Sequence, residues 1–297
     1  MSPAAAVAFN ARLPSEPGFA SQAIGRAATL ALHDELTLSP KPGLVTPTDT
    51  GSHTDMDAHT FMRSLFALRS YFVCIAGLGA DGAPFQALER CGIDAEASML
   101  AATGGINTHR GSVFMLGLLC AAAGAVAAQG HPVTASLLRS TLLARWGDAL
   151  ATRASRTPTL PGGLAARRYG LRSASTEAAL GFPVLFETAL PAMHAAGARG
   201  LNRQQVLLDT LFSIMAVLDD SNLAHRGGME GLRHAQHAAR AFLEAGGASQ
   251  SGGAAAARNV GDDFVRRRLS PGGAADMLAA ACWMQRLGLL GPASAAP

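Results

Sequence analysis

Apolar residues recur at three- and four-residue intervals along most of the chain, and strict alternation is nearly absent. That period puts apolar side chains on one stripe of an α-helix. The stretch 202–218 is the clearest case, with Leu207, Leu211, Ile214, Met215 and Leu218 on one stripe. Asn202 followed by Gln205 has the spacing of a capping box at its start. Ser270-Pro271 opens the last helix as a cap with proline at the first helical position, and its pattern runs to about residue 288. The same reading predicts helices near 19–38, 56–76, 85–102, 108–128, 133–152, 176–197, 227–245 and 254–268.

The expected fold class is therefore all-α: a single globular multi-helix domain over 19–290, with helices packed around a polar ligand cleft. Flexible tails are expected at 1–18 and 291–297. The glycine-, serine- and alanine-rich run 246–257 reads as a surface loop, and the arginine-rich run 153–175 as a longer connection able to act as a flap. No repeat of solenoid period is present.

Composition narrows the class. The 297 residues suffice for a large core, and 49% hydrophobic against 15% charged residues describes a packed chain, not a disordered one. A formal charge of +3 excludes any argument for nucleic acid. Cys74, Cys91, Cys120 and Cys282 form no CxxC pair, and all but Cys91 lie in apolar runs, so they read as small buried hydrophobes. No apolar stretch reaches the roughly 18–20 residues of a membrane span; the longest, 113–128, is interrupted by Gly117 and Gly124. With no basic N-terminal region leading into an apolar one, a cytoplasmic protein without membrane contact is expected.

Four polar blocks break the helical pattern. The first runs from Ser39-Pro40-Lys41-Pro42-Gly43 to His53-Thr54-Asp55-Met56-Asp57, and Lys41 is the only lysine in the chain. Two prolines stiffen that segment and exclude helix. The second holds Glu96 and then Thr103-Gly104-Gly105-Ile106-Asn107-Thr108-His109-Arg110-Gly111. The third is Asp219-Asp220-Ser221-Asn222-Leu223-Ala224-His225-Arg226-Gly227-Gly228, and the fourth Pro271-Gly272-Gly273-Ala274-Ala275-Asp276. The second and third share an asparagine followed by His-Arg-Gly.

These parts suit a polyphosphate. Glycine-flanked helix N-termini offer backbone N–H groups and partial positive charge. Arg110 and Arg226 can grip phosphate oxygens bidentately, with Lys41 as a point charge. Gly104, Gly105, Asn107, Thr108, Asn222 and Gly227 complete the expected nucleotide-binding set. Asp219, Asp220 and Asp57 are the expected Mg2+ ligands, since magnesium takes one or two carboxylates plus substrate phosphates. No Walker motif appears. Plainer roles stand beside these. Thr54 with Asp57 is also a capping box, Asp219-Asp220 can end one helix and cap the next, and the glycine pairs can be C-caps.

The blocks around Lys41, Gly51–Asp57, Thr103–Gly111, Gly181-Phe182-Pro183 and Pro271–Asp276 resemble the triphosphoribosyl-dephospho-CoA synthase family over roughly 25–290. Arg110 and the run 270–276 look like its malonate decarboxylase branch. The resemblance implies an all-α enzyme that takes ATP and 3′-dephospho-CoA and releases adenine. It allows a homodimer and implies that the product, a prosthetic-group precursor, passes to a carrier-protein transferase. The chain departs from the family pattern at Leu160-Pro161-Gly162, where Ser-His-Gly is usual, and at Ser173–Ala178, which lacks an arginine and an acid. Ser221 stands where threonine is usual. A binding protein with weak turnover, a citrate lyase version and a glycohydrolase are the alternatives.

The implied reaction is displacement at the ribose C1′ of ATP through an oxocarbenium-like centre. It needs a carboxylate to deprotonate the attacking hydroxyl or stabilise positive charge, and a donor to assist adenine. Asp55 or Glu96 is expected in the first role. His53 or His109 is expected to protonate the leaving base or orient a carboxylate.

Overall fold

The computed structural model describes residues 17–290; the rest of the two expected tails, 1–16 and 291–297, lies outside the described residues. In chain order the α-helices are α1 (Pro17–Thr37), α2 (Ala58–Ala67), α3 (Arg69–Ala80), α4 (Phe85–Thr103), α5 (Arg110–Ala127), α6 (Ala135–Ser155), α7 (Pro161–Tyr169), α8 (Ala174–Ala179), α9 (Leu190–Ala198), α10 (Arg203–Val217), α11 (Ser221–Glu244), α12 (Gly253–Arg267) and α13 (Gly272–Arg286). No strand occurs among the described residues; Thr46 and Asp49 form an isolated bridge. The fold is all-α.

Helix α5 is the axis of the core. Fourteen of its 18 residues are buried, and α1, α3, α4, α6 and α13 pack around it. Small residues let backbones touch. A Cβ on Gly79 of α3 would stand 1.9 Å from the Ala121 carbonyl oxygen of α5, and one on Gly124 of α5 would stand 2.0 Å from that of Ala76 in α3. By length and composition alone α5 could cross a membrane, and so could 58–80. This corrects the expectation that no stretch reaches span length. The apolarity of α5 is answered by neighbours on every side.

Several expected elements are divided. The helix expected over 56–76 turns at Leu68 (φ −88°, ψ −5°) into α2 and α3. The one expected over 176–197 is broken by left-handed Gly181 and Phe182, which are followed by Pro183, a π-turn over Leu185–Ala189 and α9. Helix α11 starts at Ser221, earlier than expected, with one non-helical residue inside it, Gly228 (φ 64°, ψ −165°). The expected flap at 153–175 contains α7, stopped by Gly170 in the left-handed region. The loop expected over 246–257 is shorter, with a 3-10 turn over Gly247–Ser249 and α12 from Gly253. The Asn202–Gln205 capping box forms as expected. The other box forms one step on: Asp57 caps α2 with Thr60, and Thr54 takes no part. Cys120 and Cys282 are buried, whereas Cys74 is exposed, its Sγ 3.8 Å from that of Cys91.

Candidate functional site

The segment between α1 and α2 is folded back and fastened to the start of α13. It turns through left-handed Gly43 and Gly51. A Cβ on Gly43 would come within 2.3 Å of the Leu269 carbonyl oxygen, so only glycine lets the strands of chain meet there. The Ser52 hydroxyl donates to that same carbonyl at 2.5 Å. Arg226 donates to the carbonyls of Ser52 (3.2 Å) and Arg268 (3.4 Å) and to His53 Nδ1 (3.1 Å). With Nδ1 accepting, the His53 Nε2–H donates to Ser270 Oγ at 2.9 Å. Burial and then the Arg226 charge push His53 down to about 4, against the pull of Asp55 3.8 Å away. His53 is thus a neutral ring in a fixed tautomer, and the expected phosphate ligand Arg226 clamps the loop.

Lys41 is also committed inside the protein. It is 5% exposed, and its ammonium donates to the Glu35 carbonyl (2.8 Å) and carboxylate (2.5 Å) at the end of α1. Burial lowers its pKa while Glu35 opposes the shift. Near it His109 is 3% exposed, with Nδ1 2.7 Å from Ser64 Oγ and Nε2 unpartnered. Burial, and then the charge of Lys41, push His109 down to about 3. Neither candidate histidine is an imidazolium at neutral pH, which corrects the expectation of a proton-donating one. Each can offer only a neutral N–H or a lone pair.

Three helix N-termini, those of α5, α11 and α13, meet beside this pair, and two carboxylates close them. Asp220 is the N-cap of α11 and accepts the N–H groups of Asn222 (2.9 Å) and Leu223 (3.3 Å). Its other oxygen accepts the Ala274 N–H at 3.0 Å, so it also caps α13. Asp220 is 2% exposed; burial raises its pKa and the N–H donors resist. Asp276, one turn into α13, takes a short hydrogen bond from the Ser112 hydroxyl in the first turn of α5. A Cβ on Gly111 would stand 1.9 Å from Asp276 Oδ2. Burial, with Glu35 and Asp220 adding repulsion, pushes the Asp276 carboxyl up to about 7 although Ser112 pulls it down.

The other predicted residues surround this centre. Arg110, first in α5, pairs with Glu96 of α4 at 2.9 Å, and Asn107 accepts the Arg110 N–H. Gly104 and Gly105, both left-handed, end α4 in open space. Thr108 Oγ1 is buried without a partner. Asn222 lies over Gly272, and Gly227 packs on Leu269. Asp55 is 60% exposed at its side chain.

The expected magnesium ligands do not assemble. Asp57 is occupied as the α2 cap, Asp219 accepts the Arg172 N–H at 3.1 Å, and Asp220 is saturated by N–H donors. Among the described residues no three His, Cys, Asp or Glu side chains are placed to hold a metal ion. These donors do not fit a magnesium site held by protein alone.

All four polar blocks therefore meet, but through Glu35, Ser64, Ser112 and Asp276, which the sequence reading left without roles, and through Ser270, which it read as the cap of the last helix. Pro271 is the N-cap of α13, and Ser270 faces His53. Asp276 lay inside a block already singled out. Glu35 carried no such signal, since only the fold closes it on Lys41. A cavity of about 410 Å3 opens elsewhere, between Pro40, the start of α10 and the start of α12; its charged lining is Arg258 alone.

Comparison with known proteins matches residues 21–294 to the family described as ATP:dephospho-CoA triphosphoribosyl transferase. A protein of Acinetobacter calcoaceticus is 37% identical over 260 residues, 88% of this chain and 89% of its own. One from Pseudomonas fluorescens is 39% identical over 285 residues, 94% and 96% of the two chains. One from Vibrio cholerae is 36% identical, over 86% and 85%. Each is named "Probable 2-(5″-triphosphoribosyl)-3′-dephosphocoenzyme-A synthase". No solved structure matches the chain.

Proposed function

The chain belongs to the ATP:dephospho-CoA triphosphoribosyl transferase family, and from that premise we propose what it makes and where. It is a transferase that joins the triphosphoribosyl group of ATP to the 2′-hydroxyl of 3′-dephospho-CoA and releases adenine. One observation carries the placement: the first turns of α5, α11 and α13 and the Lys41 loop meet at one buried polar centre.

In this reading the triphosphate lies along the open Gly104-Gly105 turn toward Thr108, whose hydroxyl has no protein partner. Arg110 reaches it by exchanging its bond to Glu96 for one to phosphate. Magnesium would supply charge neutralisation on the triphosphate as part of the ATP substrate. The unpartnered His109 Nε2 meets a polar atom of the nucleotide as a neutral ring. His53 and Arg226 hold the loop that carries Lys41.

Arg110 and the run Ser270–Asp276 support the malonate decarboxylase branch, with the product passed to a carrier-protein transferase in the cytoplasm. The altered run 159–177 is what favours the competing reading, a binder with weak turnover. Yet α7 packs on α11 there, and Gly162 meets Ser221 at the first turn of α11.

Purified protein given ATP, magnesium and 3′-dephospho-CoA should release adenine and form the triphosphoribosyl adduct in equal amounts. Adenine release independent of 3′-dephospho-CoA would indicate a glycohydrolase, and tight ATP binding with no release would indicate a binder.

A further inference from the structure

The carboxylates around the polar centre differ in what they are free to do. Glu35 is 4% exposed and tied to Lys41. Asp220 is 2% exposed and filled by backbone donors from two helices. Glu96 is paired with Arg110, and Asp55 stands mostly in solvent. Asp276 alone keeps partial solvent contact at the point where the helices meet.

Its setting is built on purpose-shaped backbone. The N-cap residue of α5, His109, makes no side-chain cap bond. Asp276 reaches this helix start from another helix: its Oδ1 accepts the Ser112 hydroxyl, and its carboxylate also takes a backbone hydrogen bond from Ser112. Oδ2 faces the bare Cα of Gly111, where any side chain would collide with it, and the one side-chain donor to this carboxylate, the Ser112 hydroxyl, bonds Oδ1. A helix N-terminus favours a charged carboxylate; burial above all, and then the carboxylates of Glu35 and Asp220, oppose it. The Lys41 ammonium is bound to Glu35 and acts also on the neutral His109. The result is a carboxyl that titrates close to neutral pH, where a general base works best.

Resting on the synthase reading above, the geometry points to Asp276 as the base that accepts the proton of the attacking 2′-hydroxyl of 3′-dephospho-CoA. Oδ2 takes that proton as the hydroxyl oxygen bonds to the ribose C1′ of ATP. The C1′–N9 bond breaks with its electron pair leaving on adenine. The proton is then delivered to adenine directly or through water, so the carboxylate is restored at the end of each turnover.

The test uses the full-length protein and the adenine-release assay. Asp276→Asn keeps an acceptor for Ser112 but cannot take a proton. It should lower kcat by about 100-fold or more, with ATP affinity by calorimetry within about threefold of the parent. The parent's rate should rise with pH along a limb centred near 7, and this limb should be absent from the residual activity of the variant. Ser112→Ala removes a bond that favours the charged form, so its limb should move to higher pH; a carboxyl of purely structural use would leave the limb in place. If Asp276→Asn binds ATP normally and keeps more than a tenth of the parent kcat, Asp276 is not the base while the synthase reading stands. If the parent itself shows no release dependent on 3′-dephospho-CoA, both fall together.

Discussion

Replacing Asp276 with asparagine should make the protein more stable at pH 8 and leave it nearly unchanged at pH 4. The folded carboxyl sits at about 7 against an ordinary 3.8. Between those limits the folded protein holds a proton that the unfolded chain has released. Stability is therefore full below about 4, falls as pH rises through this window, and levels off above about 7. At about 1.4 kcal/mol per pH unit, the gap corresponds to about 4 kcal/mol of strain from a buried, repelled charge. That gap already includes the pull of the Ser112 bonds toward the charged form, and asparagine carries no charge to be buried or repelled. The expected gain at pH 8 is therefore about 4 kcal/mol, or roughly 6–8 °C in melting temperature for a chain of this size. Thermal unfolding of parent and variant at pH 4 and pH 8 measures it directly. A variant that melts below the parent at pH 8, or a difference equal at both pH values, would refute the repulsion argument. The same substitution would thus strengthen the fold and remove the chemistry.

Three further outcomes follow from the packing. Asp220→Ala uncovers N–H groups at the starts of α11 and α13; at about 1–3 kcal/mol for each buried orphan, urea unfolding should show a loss of about 3 kcal/mol, and a loss below 1 would mean that water replaces the cap. Lys41→Met leaves Glu35 buried without its partner, a cost of about 3–5 kcal/mol, and adding Glu35→Met should restore most of that stability in the same measurement. Arg110→Ala should weaken ATP binding by about ten- to a hundredfold in calorimetry, and unchanged affinity would move the triphosphate away from α5.

What the sequence disclosed was local. The Asn202–Gln205 box acts within one helix and forms, whereas α10 ends at Val217 with Leu218 as its C-cap and buries more than the expected stripe, Val206, Leu208 and Phe212 included. The turn at Leu68 lies inside a run whose periodicity continues across it, so nothing in the pattern announced it; the glycine pair at 227–228 did mark a boundary, but α11 continues on both sides of Gly228. The polar centre was legible as four blocks but not as bonds. Asp276 meets Ser112 across 164 positions and Asp220 meets Ala274 across 54, and no spacing rule reaches that far. Lys41 stood out as the only lysine of the chain, yet its partner is Glu35, six residues earlier and unmarked. The histidines were read as proton donors or carboxylate-orienting groups because residue type says nothing of burial, and burial is what holds His53 and His109 neutral.

The glycine contacts between α3 and α5 have an effect far from where they occur. With Gly79 resting on Ala121 and Gly124 on Ala76, neither helix can slide along its length without main chain striking main chain. Helix α5 is seated like a rod in two notches, and its axial position is set in the driest part of the molecule. Gly124 lies 12 residues beyond Ser112, about 18 Å at 1.5 Å per residue. A single methyl group added at Gly124 would push the whole rod and carry Gly111 and Ser112 out of register with Asp276. Damage done to a remote apolar contact would then be read at the other end of the helix as lost chemistry.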